Sequence, residues 1–186
     1  MKNLAVFVSG TGSLLEAMIK EDRLPIGLVL ADRKCRGLEI AQLAGIATEF
    51  LERKDFSPKF NYYDYTMEVV NILCDHEITF VAMAGFMTIL DPIIFNRYRE
   101  RILNTHPALL PAFKGDHAVR DALVYGVKVT GCTIHIATEE LDAGRILAQE
   151  PVLVMPGYNE KTLHERIKQV ERRLYPLTIR RFAETL

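Results

Sequence analysis

The chain has 186 residues, 49% of them hydrophobic, with 23 Lys and Arg against 24 Asp and Glu for a net charge of −1. That length fits one domain able to bury a core of its own without disulfide or metal staples. The near-neutral balance excludes the basic footprint of a nucleic-acid binder and the polybasic surface of a membrane-bound protein.

The three cysteines, Cys35, Cys74 and Cys132, are odd in number and far apart, with no CxxC pair. They read as buried thiols of a cytoplasmic protein rather than a disulfide framework or a zinc site. The apolar start, MKNLAVFV, is too short for a signal peptide and lacks a small-residue cleavage site. No run approaches the 18 apolar residues of a membrane span.

In chain order, LAVFV (4–8) is a continuous apolar run, expected of a strand buried on both faces. The turn SGTGS follows, then LLEAMIKED with helical spacing. IGLVLAD (26–32) predicts a second strand, CRGLEIAQLAG a helix ending at Gly45, and ATEFLE a third strand. SPKFNYYDYTMEVVNILCDHE predicts a long helix with Ser57 as its cap and Pro58 at its first position. TFVAMAG (79–85) is the next buried strand, DPIIFNRYRE a capped helix and RILNTH a strand. GDHAVRDALVYG then reads as helix, VKVTGCTIHIAT as a strand or a bent pair, and GRILAQEPVLV as another strand. A last helix is expected from about Glu160 to Phe182, interrupted near Pro176. Strands alternating with helices predict an α/β fold, a mostly parallel sheet with helices on both faces. Ligands of such sheets lie beyond the carboxyl ends of the strands.

Three polar features fall at such ends: SGTGS after the first strand, AGFMTIL after the fourth and NTHP after the fifth. Gly10 and Gly12 let SGTGS turn tightly, and the helix after it offers free N–H groups to an anion. This turn is either a phosphate cradle or a plain tight turn, because it lacks the third Gly of GxGxxG and the Lys of a Walker loop. Asn104 and His106, two apart on an extended chain, point to one side. They bring an amide donor for an oxyanion and a titratable imidazole to one place; the plainer reading is a strand-end His bonded to a carbonyl. Asp142, in EELDAGRI, is either the carboxylate that orients His106 or a turn-forming Asp. His117 and His135 are further pocket candidates. His117 alternatively starts a helix, and His135 is alternatively a satisfied strand residue. No HxH, HExxH or acidic cluster points to a metal, and no GxSxG points to a covalent nucleophile.

SGTGS, AGFM (84–87), NTHPALLP (104–111) and LDAG (141–144) occur here in the order found in folate-dependent formyltransferases. Over nearly its whole length the chain resembles the phosphoribosylglycinamide formyltransferase family, and VYGVKVTG and LHERIKQVERRL are similar to its actinobacterial members. The resemblance implies a single Rossmann-like domain over residues 1–186 with about seven strands. Its N-terminal half would bind phosphate and ribonucleotide, and its C-terminal half would bind folate and hold the catalytic residues. The implied reaction moves a formyl group from 10-formyltetrahydrofolate, the co-substrate, to the amine of glycinamide ribonucleotide, without a metal.

Asn104, His106 and Asp142 would be catalytic. Pro107, Pro111 and Gly115 would stiffen the loop after His106, with Leu109 and Leu110 anchoring it in the core. Thr11, Gly12, Ser13 and Leu14 would cradle the ribonucleotide phosphate through their backbone, and Lys168 and Glu171 would meet its phosphate and ribose. Met87, Thr88, Ile89 and Leu90 would flank the pterin. Asn104 and the loop Thr138, Glu139, Glu140, Leu141 and Asp142 would complete the folate site.

The chain departs from the family in three places. Leu14 stands where many members have Asn, Thr88 where many have Arg or Lys, and NYYDY where many have an Arg before the long helix. The last two changes bear on how the folate tail's carboxylates are held. The chain also ends soon after its last helix. Its length and charge argue against the second, basic domain of methionyl-tRNA formyltransferases. Its first strand at residue 4 argues against the leading domain of formyltetrahydrofolate hydrolases. The intact Asn104, His106 and Asp142 argue against a silent folate- or nucleotide-binding module. The expected partners are the two small-molecule substrates, with a homodimer admitted and neither nucleic acid nor membrane expected.

Overall fold

A computed structural model describes residues 2–21 and 23–186. Strands and helices alternate as the hydrophobic pattern predicts. They are β1 (Leu4–Val8), α1 (Ser13–Lys20), β2 (Ile26–Ala31), α2 (Arg36–Leu43), β3 (Ala47–Phe50), α3 (Tyr62–Asp75) and β4 (Phe80–Met83). Then come α4 (Ile93–Arg97), β5 (Ile102–His106), α5 (Ala118–Tyr125), β6 (Val129–Ile136), β7 (Ile146–Leu153) and α6 (Glu160–Thr185). The predicted end of the first helix, Asp22, lies outside the described residues.

The seven strands form one sheet in the order β3-β2-β1-β4-β5-β6-β7. β3 through β5 pair in parallel, while β5–β6 and β6–β7 are antiparallel. The chain winds outward from β1 to β3, then returns to place β4 on the other side of β1. The crevice beyond the carboxyl ends of β1 and β4 is therefore the switch point where such sheets take ligands. The hydroxyl of Ser9, just past β1, accepts from the backbone N–H of Met87, just past β4, at 2.9 Å.

Period-two alternation along β1 divides the core. Leu4, Val6 and Val8 pack with Leu15 and Met18 of α1 and with Leu163, Ile167 and Ile179 of α6. Ala5 and Phe7 face the other layer, with Val69 and Leu73 of α3 and Ile94 of α4. Full burial of side chains such as Leu15 or Met18 contributes about 1.5–3 kcal/mol each.

Two boundaries differ from the sequence expectation. The third helix starts at Tyr62, capped by Asn61, whose side chain accepts from the Asp64 N–H at 3.1 Å. Ser57 instead closes a turn, with its carbonyl accepting from Phe60 N and its hydroxyl from Lys59 N. That turn satisfies the backbone groups a helix would have needed. The last helix is not interrupted at Pro176 but runs to Thr185. Tertiary packing holds it on both sides of the proline. Tyr175 is fully buried and its hydroxyl donates to Leu103 O at 2.8 Å, while Ile179 and Phe182 lie in the core. A reciprocal capping box, Asn159 with Thr162, starts this helix.

Candidate active site

β5 ends the parallel part of the sheet and begins the antiparallel part, so its last residues meet β6 rather than a helix. Asn104 pairs across the strands with His135, and His106 with Thr133. The Asn104 amide nitrogen lies 3.4 Å from His135 Nε2, and the other His135 nitrogen is bonded to Ile136 O at 2.9 Å. Asp142 enters from the loop after β6 with a left-handed backbone, φ 51°. Its side chain is only 4% exposed, and that of His106 6%. One Asp142 oxygen accepts from the Gly115 N–H at 2.9 Å and lies 3.3 Å from His106 Nδ1; the other lies 3.5 Å from His135 Nε2.

Burial works against the charged form of Asp142. The bond to His135, the Gly115 N–H and the facing imidazoles outweigh it and hold the carboxyl below its ordinary value. His106 is gripped from both sides, because its Nε2 sits 2.7 Å from the carbonyl of Phe113. A proton on Nε2 makes that bond, so the ring is anchored there by the backbone. The looser Nδ1 contact with Asp142 is attractive only with a proton between the two groups. Nδ1 is thus the nitrogen that faces the Asp142 carboxylate.

The loop carrying Phe113 is itself fixed. The Thr133 hydroxyl donates to Ala108 O and accepts from Leu110 N, and the Gln149 amide donates to Leu110 O. Thr133 and Gln149 thus hold the loop to β6 and β7, a role no local motif announced. The Leu110–Pro111 peptide is cis. Lys114 reaches Glu140 at 3.3 Å and ties this loop to the Thr138–Asp142 loop above the buried carboxylate. Glu139 and Leu141 stay exposed, and the Thr138 hydroxyl donates to Glu140 O at 2.9 Å. Gly144 lets this second loop cross the sheet: a Cβ there would stand 1.8 Å from Ile136 O.

The phosphate-turn candidates take the predicted form. Gly12 is left-handed at φ 73° and caps α1 with no side-chain bond, so the first N–H groups of the helix have no side-chain cap. A Cβ on Gly12 would also collide with Gly37 Cα at 2.9 Å. Thr11 is exposed and Ser13 half-buried, whereas the Leu14 side chain is in the core; Leu14 offers a ligand only its backbone. α6 packs on α1 through Leu163 and Ile167, which brings Lys168 and Glu171 to this side of the sheet. Burial raises the Glu171 carboxyl above its ordinary value, against the Thr105 hydroxyl and the charges of Lys168 and Arg172.

In the segment after β4 the four candidate positions differ in exposure. Met87 and Ile89 are 65% and 71% exposed, but Thr88 and Leu90 are buried. The Thr88 hydroxyl donates to Asp32 at 2.7 Å and Leu90 joins the α3 layer of the core, so of the four only Met87 and Ile89 expose their side chains. His117 is exposed at the start of α5 and does not join the cluster, whereas His135 sits inside it. Two surface hollows, of about 370 and about 450 Å³, lie elsewhere, one between α3 and α4 and one along β7 and α6.

A half-buried amide with a buried imidazole and carboxylate at a strand end, and a glycine turn at the switch point, fit transfer of a small acyl group. The chain belongs to the formyl transferase family, whose family model matches residues 2–179. It is 47% identical over 175 residues to the phosphoribosylglycinamide formyltransferase of Mycobacterium tuberculosis, covering 92% of this chain and 80% of that one. The protein of the same name from Escherichia coli K12 is 36% identical over 188 residues, covering 98% and 87%. The crystal structure of glycinamide ribonucleotide transformylase 1 from Symbiobacterium toebii superposes with a TM-score of 0.91 at 36% identity, covering 100% of this chain and 89% of that one.

Proposed function

We propose that the chain is a phosphoribosylglycinamide formyltransferase. It transfers the formyl group of 10-formyltetrahydrofolate to the amine of glycinamide ribonucleotide and releases formylglycinamide ribonucleotide and tetrahydrofolate. The observation that carries this reading is the cluster of half-buried Asn104 with buried His106 and Asp142, at the same edge of the sheet as an uncapped helix N-terminus.

The amine attacks the formyl carbon, forming a new C–N bond while the carbonyl oxygen takes on negative charge. The Asn104 amide, with the His106 imidazole beside it, stabilises that oxygen. The bond from the carbon to the folate nitrogen then breaks. Asp142 orients the imidazole and relays a proton, through water, from the attacking amine to the leaving nitrogen. The donors are already oriented by Phe113 O and the Gly115 N–H, so little rearrangement accompanies the charge.

The backbone of Thr11, Gly12, Ser13 and Leu14 takes the phosphate, and Lys168 and Glu171 the ribonucleotide's phosphate and ribose. Exposed Met87, Ile89 and Leu141 suit the apolar faces of a pterin, and Thr138, Glu139 and Glu140 close over it. Residues 1–186 act as one unit, and the proposed setting is cytoplasmic.

An absorbance assay with 10-formyl-5,8-dideazafolate tests the reading. Release of the deformylated product only when glycinamide ribonucleotide is present supports it. Release without the ribonucleotide, or none at all, overturns it.

A further inference from the structure

Thr105 stands between Asn104 and His106 on β5, so its side chain points to the opposite face of the sheet. Leu103 shares that face and packs in the layer covered by α6. Helix and strand run in opposite directions. The Lys2 side chain, just before β1, donates to Ala183 O near the end of α6, so the helix begins toward the carboxyl ends of the parallel strands. The Tyr175 hydroxyl donates to Leu103 O at 2.8 Å and sets the register between the two elements. Glu171 lies one turn before Tyr175, about 5.4 Å back along the helix. Thr105 lies two residues past Leu103, about 6.6 Å forward along the strand. The two steps match and bring the Glu171 carboxylate to the Thr105 hydroxyl.

Glu171 has few other fixed partners. Among the described residues no Lys, Arg or His lies within ion-pair distance of it, and the neighbouring Arg172 is engaged by Glu165 at 2.5 Å. Thr105 reaches it from β5, a strand held in the middle of the sheet. The Thr105 oxygen lies 3.4 Å from Cys132 Sγ on β6. Cys132 is fully buried, and burial pushes its thiol up to about 12, so it keeps its proton. A protonated thiol can donate to the Thr105 oxygen, which frees the Thr105 O–H to donate to the carboxylate. That hydroxyl favours the charged form of Glu171 against the burial that opposes it.

We propose that Thr105 is a positioning residue whose hydroxyl, backed by the Cys132 thiol, aims the Glu171 carboxylate at the ribose of the bound ribonucleotide. The inference rests on the formyltransferase reading and deepens its ribonucleotide site. One carboxylate oxygen is held from the strand, and the other is left for a ribose hydroxyl. The segment Asn104 to His106 then serves both partners of the reaction. Its side chains on one face meet the formyl oxygen, and the one on the other face sets the group that holds the acceptor. A single stretch of strand thus fixes the acceptor and the formyl group in one frame.

Steady-state kinetics, with calorimetric binding of glycinamide ribonucleotide and of 5,8-dideazafolate, tests this. Thr105→Val should raise KM for the ribonucleotide about three- to tenfold, the scale of one net hydrogen bond. It should leave kcat within about twofold and dideazafolate binding unchanged. Thr105→Ser, which keeps the hydroxyl, should restore most of the loss. In a Glu171→Ala background the Thr105→Val change should add nothing, because Thr105 acts through that carboxylate. Thr105→Ala, read in the same way, replaces the Val variant if circular dichroism shows that it does not fold. An unchanged KM, an equal weakening of both ligands, or a full Thr105→Val effect in the Glu171→Ala background overturns the proposal. Failure of the wild-type chain to bind glycinamide ribonucleotide overturns the formyltransferase reading itself.

Discussion

At the catalytic end of the crevice, one carboxylate faces two imidazoles and a backbone N–H, and each ring is also held by a main-chain carbonyl. At the folate-side rim, Met87, Ile89 and Leu141 stand open to solvent. The first region is fixed by mutual bonding in low dielectric, where one lost partner leaves a buried charge unsatisfied. The second works through exposed side chains, where a change leaves no buried charge unsatisfied. Under the proposed function, this contrast accounts for an intact Asn104, His106 and Asp142 beside an altered rim.

The comparison breaks most readily at its centre. Asp142→Asn and His106→Ala should each lower kcat at least about a hundredfold, the scale of a lost acid–base or oxyanion group. Steady-state turnover at saturating substrates, with circular dichroism to confirm the fold, measures it; near-normal kcat in Asp142→Asn would remove the carboxylate from the mechanism.

A test of the rigid end alone is Gly144→Ala. The new methyl meets the Ile136 carbonyl, and overpacking of this kind costs about 1–3 kcal/mol or more. Chemical denaturation should show that loss; an unchanged midpoint would mean the loop shifts freely.

Acid–base behaviour sharpens the contrast between two carboxylates. Asp142 has a lowered pKa, so its contribution to stability is present above the ordinary carboxylate range and is lost as pH falls through its depressed value. Glu171 has a raised pKa, so its contribution is present below the ordinary range and is lost as pH rises through its raised value. Glu171→Gln should therefore raise the melting temperature at neutral pH while raising KM for the ribonucleotide. A lower melting temperature would show that the ionised carboxylate is favourably held.

The smallest effect is expected at the rim's support. Thr88→Val removes one donor from Asp32, which keeps Arg33, and should cost about 1 kcal/mol. The KM for the folate should rise while kcat stays within about twofold, since no oxyanion donor is lost. A large fall in kcat would show that the two regions are coupled.

Much of this was written in local pattern. Continuous apolar runs with turn residues between them marked β1, β2 and β4 as buried strands, because a parallel sheet covered on both faces has no polar side. The spacing of Asn104 and His106 placed both on one side of a strand, since side chains alternate. The N-cap of α3 and the continuity of α6 through Pro176 were not legible, because competing turn bonds at Ser57 and tertiary burial around Tyr175 decided them.

The sequence by itself determined the α/β order, the glycine turn and the shared strand face of Asn104 and His106, because these depend on residue type and short spacing. Only the tertiary structure decided that His135 belongs inside the cluster and His117 outside it, since strand pairing across 31 residues sets the one and a helix start the other. It also turned Thr88 inward onto Asp32, because that contact arises where separate strands end side by side in the sheet.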